Sequence, residues 1–233
     1  MTIVVHHLQR SQSDRIVWLC EELGIPYELK TYRRDPKTLL APPELKALHP
    51  AESAPIFEDG SLVLSESGAI MEYIMAKHGG GRLSVPASAP NYADYVYWFH
   101  WAIGTLQSAV LTPMYISMAG VTEESGNPTA AAMSGRMARA LKRLDERLRQ
   151  SPYLAGDELT AADIYAAFPV STARLFYPFP LTGYDGILQW LKRCSERPAY
   201  KALIEKGEKG EDRGVVPTIM AEAPTPIWNI IQK

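Results

Sequence analysis

Two short runs bring together residue types suited to holding a small zwitterion. Ser53-Ala54-Pro55-Ile56-Phe57-Glu58-Asp59-Gly60 reads as a strand that opens on a proline and closes in an Asp-Gly hairpin turn. Proline is tolerated at the first residue of a strand because the donor it lacks falls at the end of the ladder. The Ala54 backbone beside it is then free to pair with an extended ligand. Leu64-Ser65-Glu66-Ser67-Gly68-Ala69-Ile70 reads as the next strand running into a helix whose first turn carries a carboxylate and a hydroxyl. Helix starts present unpaired N–H groups to anions, and Glu66 presents a fixed negative charge to a cation. An extended backbone, a partner for an ammonium and a partner for a carboxylate together suit a small zwitterionic peptide. The alternative for Glu66-Ser67 is ordinary first-turn capping, since acids and serines favour that position anyway.

The elements that must position these groups alternate strand and helix over residues 1–80. Ile3-Val4-Val5 is a short strand. Ile16, Leu19, Cys20 and Leu23 recur at helical spacing, and Gly24 followed by Pro26 stops that helix. Tyr27–Tyr32 is a second strand, followed by a proline-rich connection with a short helical piece over Glu44–Leu48. The 55–59 and 62–64 strands form a hairpin, and Ile70, Met71 and Ile74 mark the apolar face of a third helix. The order β-α-β-α-β-β-α predicts a thioredoxin-like α/β layout with a parallel half and an antiparallel half. Gly79-Gly80-Gly81 ends the third helix, residues 81–90 with Pro86-Ala87-Ser88-Ala89-Pro90 read as a linker, residues 91–207 as an all-helical domain, and residues 208–233 as a tail. The long helix from Tyr92 to about Ala119 contains Pro113, where a kink is expected. Ile227, Trp228, Ile230 and Ile231 predict that the tail packs on the body or on a partner.

Composition narrows the function. With 233 residues, 46% hydrophobic and 21% charged, the chain has the make-up of a soluble globular protein. A net charge of −2 gives no general attraction to nucleic acid or to an anionic membrane. Two cysteines, Cys20 and Cys194, are too few for a disulfide framework, and the N-terminal run lacks the character of a signal peptide, so a cytoplasmic location is expected. The basic residues between Arg136 and Arg147 sit off the apolar stripe Met133, Met137, Ala140, Leu144 and Leu148, as a solvated helix face does. Leu159-Thr160-Ala161-Ala162-Asp163-Ile164 is a helix start in which Asp163 can reach back to the Thr160 N–H, a structural role. His6 and His7 end the first strand and point to opposite sides of it, so one of them can approach the site, although a structural role is the expectation. No His, Cys or carboxylate cluster has metal-ligand spacing, so no metal is expected.

In this order, the Ala54-Pro55 strand start, the Glu66-Ser67-Gly68-Ala69-Ile70 run and the Thr160–Asp163 box resemble the cytosolic glutathione transferases over residues 1 to about 206. The run Gln9-Arg10-Ser11-Gln12-Ser13-Asp14-Arg15-Ile16 is most similar to serine-type bacterial and fungal members. The resemblance implies a cis Pro55, glutathione as cosubstrate, a hydrophobic electrophile and a homodimer. It also implies transfer of the glutathione thiolate to that electrophile, with peroxidase activity as a further possibility. Glu66 would take the ammonium of glutathione, Ser67 the γ-glutamyl carboxylate, and the Ala54 backbone the cysteinyl N–H and C=O. The reaction requires an activated thiol, and lowering a pKa of about 8.5 by two units takes roughly 3 kcal/mol. In the serine-type families the hydroxyl that does this lies four or five residues before a basic residue in the first helix. Counting back four from Arg15 gives Ser11, with Ser13 as N-cap and as the alternative donor. Cys-x-x-Cys is absent there, which argues against a disulfide oxidoreductase.

One departure from the family pattern stands in the first run. A basic residue usually precedes the small residue and the cis-proline, where it approaches the glycyl carboxylate; here those places hold Glu52 and Ser53. Lys37, Arg33, Lys46 or His49 is left to take that role. Tyr115, Met114, Met118, Phe176 and Tyr177 are candidates for the second-substrate pocket. Two other readings remain open on these residues. One is a related binding protein with little catalysis; the other is a glutathione-dependent isomerase or dehalogenase.

Overall fold

The computed structural model describes residues 3–208 and 216–231. Four strands among them, β1 (Ile3–Leu8), β2 (Glu28–Tyr32), β3 (Ile56–Asp59) and β4 (Leu62–Leu64), form one sheet in the order β2-β1-β3-β4. β1 runs parallel to β2 with Val5 opposite Leu29, and antiparallel to β3 with Val5 opposite Phe57. Every residue of β1 is buried, as expected of a central strand covered on both faces. That burial includes two histidines, so both must find partners. His6 bonds Tyr32 and Glu58, while His7 bonds Ser13.

α1 (Asp14–Leu23) packs against α3 (Ser67–Lys77). Gly24 ends α1 in the left-handed conformation, its N–H returning to the carbonyls of Cys20 and Glu21, the ending that glycine permits at no steric cost. The short α2 is Pro43–Lys46. Beyond residue 91 the described structure is helical: α4 (Tyr92–Trp101), α5 (Ser108–Met118), α6 (Pro128–Gln150), α7 (Ala161–Val170), α8 (Asp185–Ser195), α9 (Pro198–Glu208) and α10 (Ile227–Ile231). α1 also packs on α7 and α9, joining the two parts of the chain. Trp18, Trp98 and Trp190 lie in the continuous core that results.

The long helix departs from the sequence expectation in one respect. Its irregularity is a π-helical turn at Ala102–Gln107, and α5 runs on through Pro113. The wider turn lies where the buried Gln107 side chain meets Arg15 and Gln12 on the other part of the molecule. The basic face of α6 is solvated or paired, with Arg147 on Asp94 and Lys142 near Glu146. The Thr160–Asp163 capping box forms as the spacing predicts. The wholly buried Asp163 accepts from the Thr160 and Leu154 N–H groups and from Trp190 Nε1. Burial pushes its carboxyl up to about 6 despite these donors.

Arg174, buried after α7, donates to the carbonyls of Phe179, Thr218, Met220 and Glu222. It thereby fastens the tail to the helical body. Ile227 is buried, and Trp228 is 41% exposed beside a cavity. The side chains of Ile230 and Ile231, named with them from sequence, lie outside the described residues.

Candidate active site

A cavity of about 400 Å³ opens between the β1–α1 loop, the segment from Arg34 to Ala54, α5, the end of α7 and Trp228. Ser11, Gln12, Ser53 and Ala54 line one side. Leu111, Met114, Tyr115, Met118, Phe168 and Phe176 line an apolar side, the usual make-up of a small-molecule site. Four of the five side chains singled out for the second substrate therefore face it. Tyr177 lines a separate depression with Pro113 and Ile116.

The two serines have different surroundings. Ser11 lines the cavity, whereas Ser13 is fully buried behind it. Ser13 holds the position before α1, but its hydroxyl does not cap the helix. It turns back to β1, accepting from the Leu8 N–H at 3.0 Å and contacting His7 Nδ1 at 2.9 Å and Ser11 Oγ at 2.7 Å. The capping role read from sequence is corrected accordingly: β1 ends five residues earlier and competes for the hydroxyl. Ser11 Oγ also accepts from the Ser13 N–H at 3.1 Å.

The loop carrying Ser11 is held from three directions. Arg10 sits at φ 53°, a left-handed conformation that non-glycine residues adopt only with support. Its N–H donates to Glu208 Oε1, and Gln9 donates to the Glu208 carbonyl from its side-chain amide. Arg34 donates to the Gln9, Arg10 and Leu39 carbonyls and stacks over Phe176. Burial lowers its pKa to about 10, which leaves it charged at neutral pH. On α1, Arg15 bonds Gln12 and Gln107 and lies over the Tyr165 and Phe168 rings.

The Ala54-Pro55 bond is cis, as the resemblance implies. Ala54 lies just ahead of the first β1–β3 register pair, His6 with Ile56. Pro55 is buried, and exposed Ser53 is at the cavity. Glu66, exposed at φ 72°, precedes α3, and buried Ser67 is the first residue of that helix. Neither Glu66 nor Ser67 lines the cavity itself, and neither does His49, whose Nδ1 accepts from the Ala51 N–H within its own turn. Among the cations considered for the glycyl carboxylate, Lys46 lines the cavity; Lys37 and Arg33 do not. Glu52 also faces it.

Sequence reasoning passed over Gln12, Arg34 and Glu208. It also saw no acidic–histidine cluster, yet the fold brings His7, Asp14 and Glu208 together with their nearest ligand-type atoms within 4.8 Å. Glu208 Oε1 is 3.8 Å from His7 Nε2, and Glu208 Oε2 is 3.8 Å from Arg10 Nε. Burial pushes the Asp14 carboxyl up to about 7; His7 opposes this rise and Glu208 adds to it. A Cβ on Gly207 would lie 2.8 Å from His7 Nε2, so only glycine lets the end of α9 close on the ring. No local signal announces this cluster, because it joins residues about 200 positions apart in the sequence. Both cysteines are buried and free, and burial pushes their thiols up, which makes them inert.

Comparison with known proteins agrees with this geometry. The family description "Glutathione S-transferase, N-terminal domain" matches residues 2–76, and "Glutathione S-transferase, C-terminal domain" matches residues 105–198. The chain is 32% identical to glutathione S-transferase 3 of Schizosaccharomyces pombe, with 88% of each chain covered. It is similar to the crystal structure of a glutathione S-transferase from Actinobacillus pleuropneumoniae at 31% identity and a TM-score of 0.80, covering 89% of this chain and 93% of that one. It is also similar, at 25% identity and a TM-score of 0.64, to a theta-class enzyme from Xanthomonas axonopodis pv. citri solved with glutathione bound, covering 86% and 96%. A thioredoxin-like sheet followed by a helical body, two matching domain families and a relative similar along most of its length lead to one conclusion: the chain belongs to the glutathione S-transferase family and is a glutathione transferase.

Proposed function

We propose that Ser11 is the hydroxyl that stabilises the thiolate of bound glutathione in this transferase. The observation that carries this is the position of Ser11 on the cavity wall, with Ser13 buried behind it and bonded to it. The thiolate attacks an electrophilic carbon, forms a C–S bond and expels the leaving group with its electron pair. A hydroxyl donor lowers the thiol pKa because it bonds the charged form preferentially.

The remaining contacts follow from the chemistry of the tripeptide. Glu66 takes the α-ammonium, and Ser67 takes the γ-glutamyl carboxylate at the N-terminus of α3. The Ala54 backbone, just outside the β1–β3 ladder, pairs with the cysteinyl unit, and Lys46, which lines the cavity as Glu52 does, takes the glycyl carboxylate. The electrophile is hydrophobic, a reading supported by Met114, Tyr115, Met118 and Phe176 along the opposite wall. We further propose a homodimer, which rests on the family likeness, and a cytoplasmic location, which the two free thiols suit. No described helix is long and apolar enough to cross a membrane.

The test is conjugation of glutathione to a chloronitroarene by the wild type, Ser11→Ala and Ser13→Ala, with retention on immobilised glutathione measured beside it. Ser11→Ala should lower kcat by about 10²-fold while leaving retention intact, the range for losing a transition-state donor. Full activity in Ser11→Ala with loss in Ser13→Ala would transfer the role to Ser13.

A further inference from the structure

We propose that His7 is a positioning residue for thiol activation: its Nδ1–H fixes the Ser13 hydroxyl, which directs the Ser11 hydrogen into the cavity. This rests on Ser11 being the thiolate donor, as proposed above. A serine oxygen can accept two hydrogen bonds and donate one. Ser13 Oγ accepts from the Leu8 N–H. If His7 Nδ1 also donates to it, both acceptor sites are filled, and its own hydrogen goes to Ser11 Oγ, the shorter of its remaining contacts at 2.7 Å against 3.2 Å to the Leu8 carbonyl. Ser11 Oγ then accepts from the Ser13 O–H and the Ser13 N–H, and the one hydrogen left to it faces the cavity it lines. In the opposite tautomer Nδ1 accepts, Ser13 donates to His7, and Ser13 takes the Ser11 hydrogen to complete its own bonding. The thiolate donor is then turned away.

The groups behind His7 select between these states. Asp14 on α1, Glu208 on α9 and Arg10 in the loop face its far side, with Arg34, Arg15 and Tyr200 acting on the two carboxylates. Burial pushes the Asp14 carboxyl up to about 7 despite the neighbouring guanidiniums, so the cluster holds one proton there in the acidic range. A protonated Asp14 offers an O–H to the cluster it forms with His7 and Glu208, Nε2 is left as an acceptor, and the ring keeps its hydrogen on Nδ1, which gives Ser13 a donor. Once that proton is lost at high pH, Nε2 faces two anions, the ring hydrogen moves to it, and Ser11 is turned inward.

Two measurements on the full chain test this. In protein labelled with 15N-histidine, the ring shifts of His7, identified by their loss in His7→Leu, should show the ring hydrogen on Nδ1 while Asp14 is protonated and on Nε2 once Asp14 has ionised above about pH 7. An unprotonated Nδ1 throughout would overturn the proposal without any variant needing to fold. Second, the thiol of bound glutathione is titrated through its ultraviolet thiolate absorbance. His7→Leu should raise the midpoint by about one pH unit, and kcat/KM below it should fall about tenfold, with the glutathione Kd unchanged. A merely structural role would lower the melting temperature and leave the midpoint in place, which would also overturn the proposal. Ser11→Ala is the discriminating control. If it leaves the midpoint unchanged, the reading of Ser11 fails. If it raises the midpoint while His7→Leu does not, the His7 relay alone fails.

Discussion

Ser11 and Ser13 lie two residues apart at one helix start, yet one reaches the cavity and the other is enclosed by β1 and His7. The spacing to Arg15 was visible in the sequence. That spacing favoured Ser11, but the enclosure of Ser13 was not visible, because it depends on where the end of β1 falls in space. The departure at Glu52 was visible in the sequence, whereas only the fold shows that, of the cations weighed beside it, Lys46 lines the same cavity. Glu52→Lys should lower the KM for glutathione about three- to fivefold and Lys46→Ala should raise it by a similar factor, since a partly exposed charge contributes up to about 1 kcal/mol. Steady-state kinetics in glutathione check both. Asp14 makes a separate, pH-dependent prediction. Its folded pKa of about 7 exceeds the unfolded value, so the folded chain binds the extra proton between about pH 4 and 7 and stability declines as pH rises through that window. Asp14→Asn should flatten that decline in urea denaturation curves measured from pH 4.5 to 8, and an unchanged slope would reassign it to other groups.

Elements were read from the sequence where their signals are local. The α1 stop at Gly24, the Asp-Gly turn after β3 and the Thr160–Asp163 box each depend on neighbours within a few residues, and each forms. The π-helical turn at Ala102–Gln107 was not legible, because it accompanies a contact between Gln107 and Arg15, 92 residues apart. Proline at position 113 was the more conspicuous signal and the weaker guide. Asp163 shows what a local motif can carry: its carboxylate satisfies the Thr160 and Leu154 N–H groups and the Trp190 indole at once. Asp163→Ala should therefore cost about 3–5 kcal/mol, since it leaves several buried donors without partners. Asp163→Asn, which keeps an acceptor, should cost less. Chemical denaturation of the two variants would show the order, and equal losses would contradict the hydrogen-bond account.

At the scale of the whole molecule, α9 and the tail return to the first part of the chain and complete its site. Glu208 fixes the loop that carries Ser11, Arg197 pairs with Glu22 on α1, and Trp228 borders the cavity. The apolar character of the tail predicted that it would pack somewhere, but not that Arg174 would fasten it through backbone carbonyls. Arg174→Met should free the tail by removing those donors, and it should change KM for hydrophobic electrophiles severalfold more than KM for glutathione. Kinetics with a small and a bulky chloronitroarene would reveal this, and equal effects on both substrates would refute it. The central claim is that a hydroxyl on the cavity wall activates the thiol. Its most direct test is the titration of glutathione bound to the wild type and to Ser11→Ala, followed by thiolate absorbance. The account predicts a wild-type midpoint well below the free-thiol value of about 8.5 and a return toward that value in the variant; a depressed midpoint that survives the substitution would contradict it.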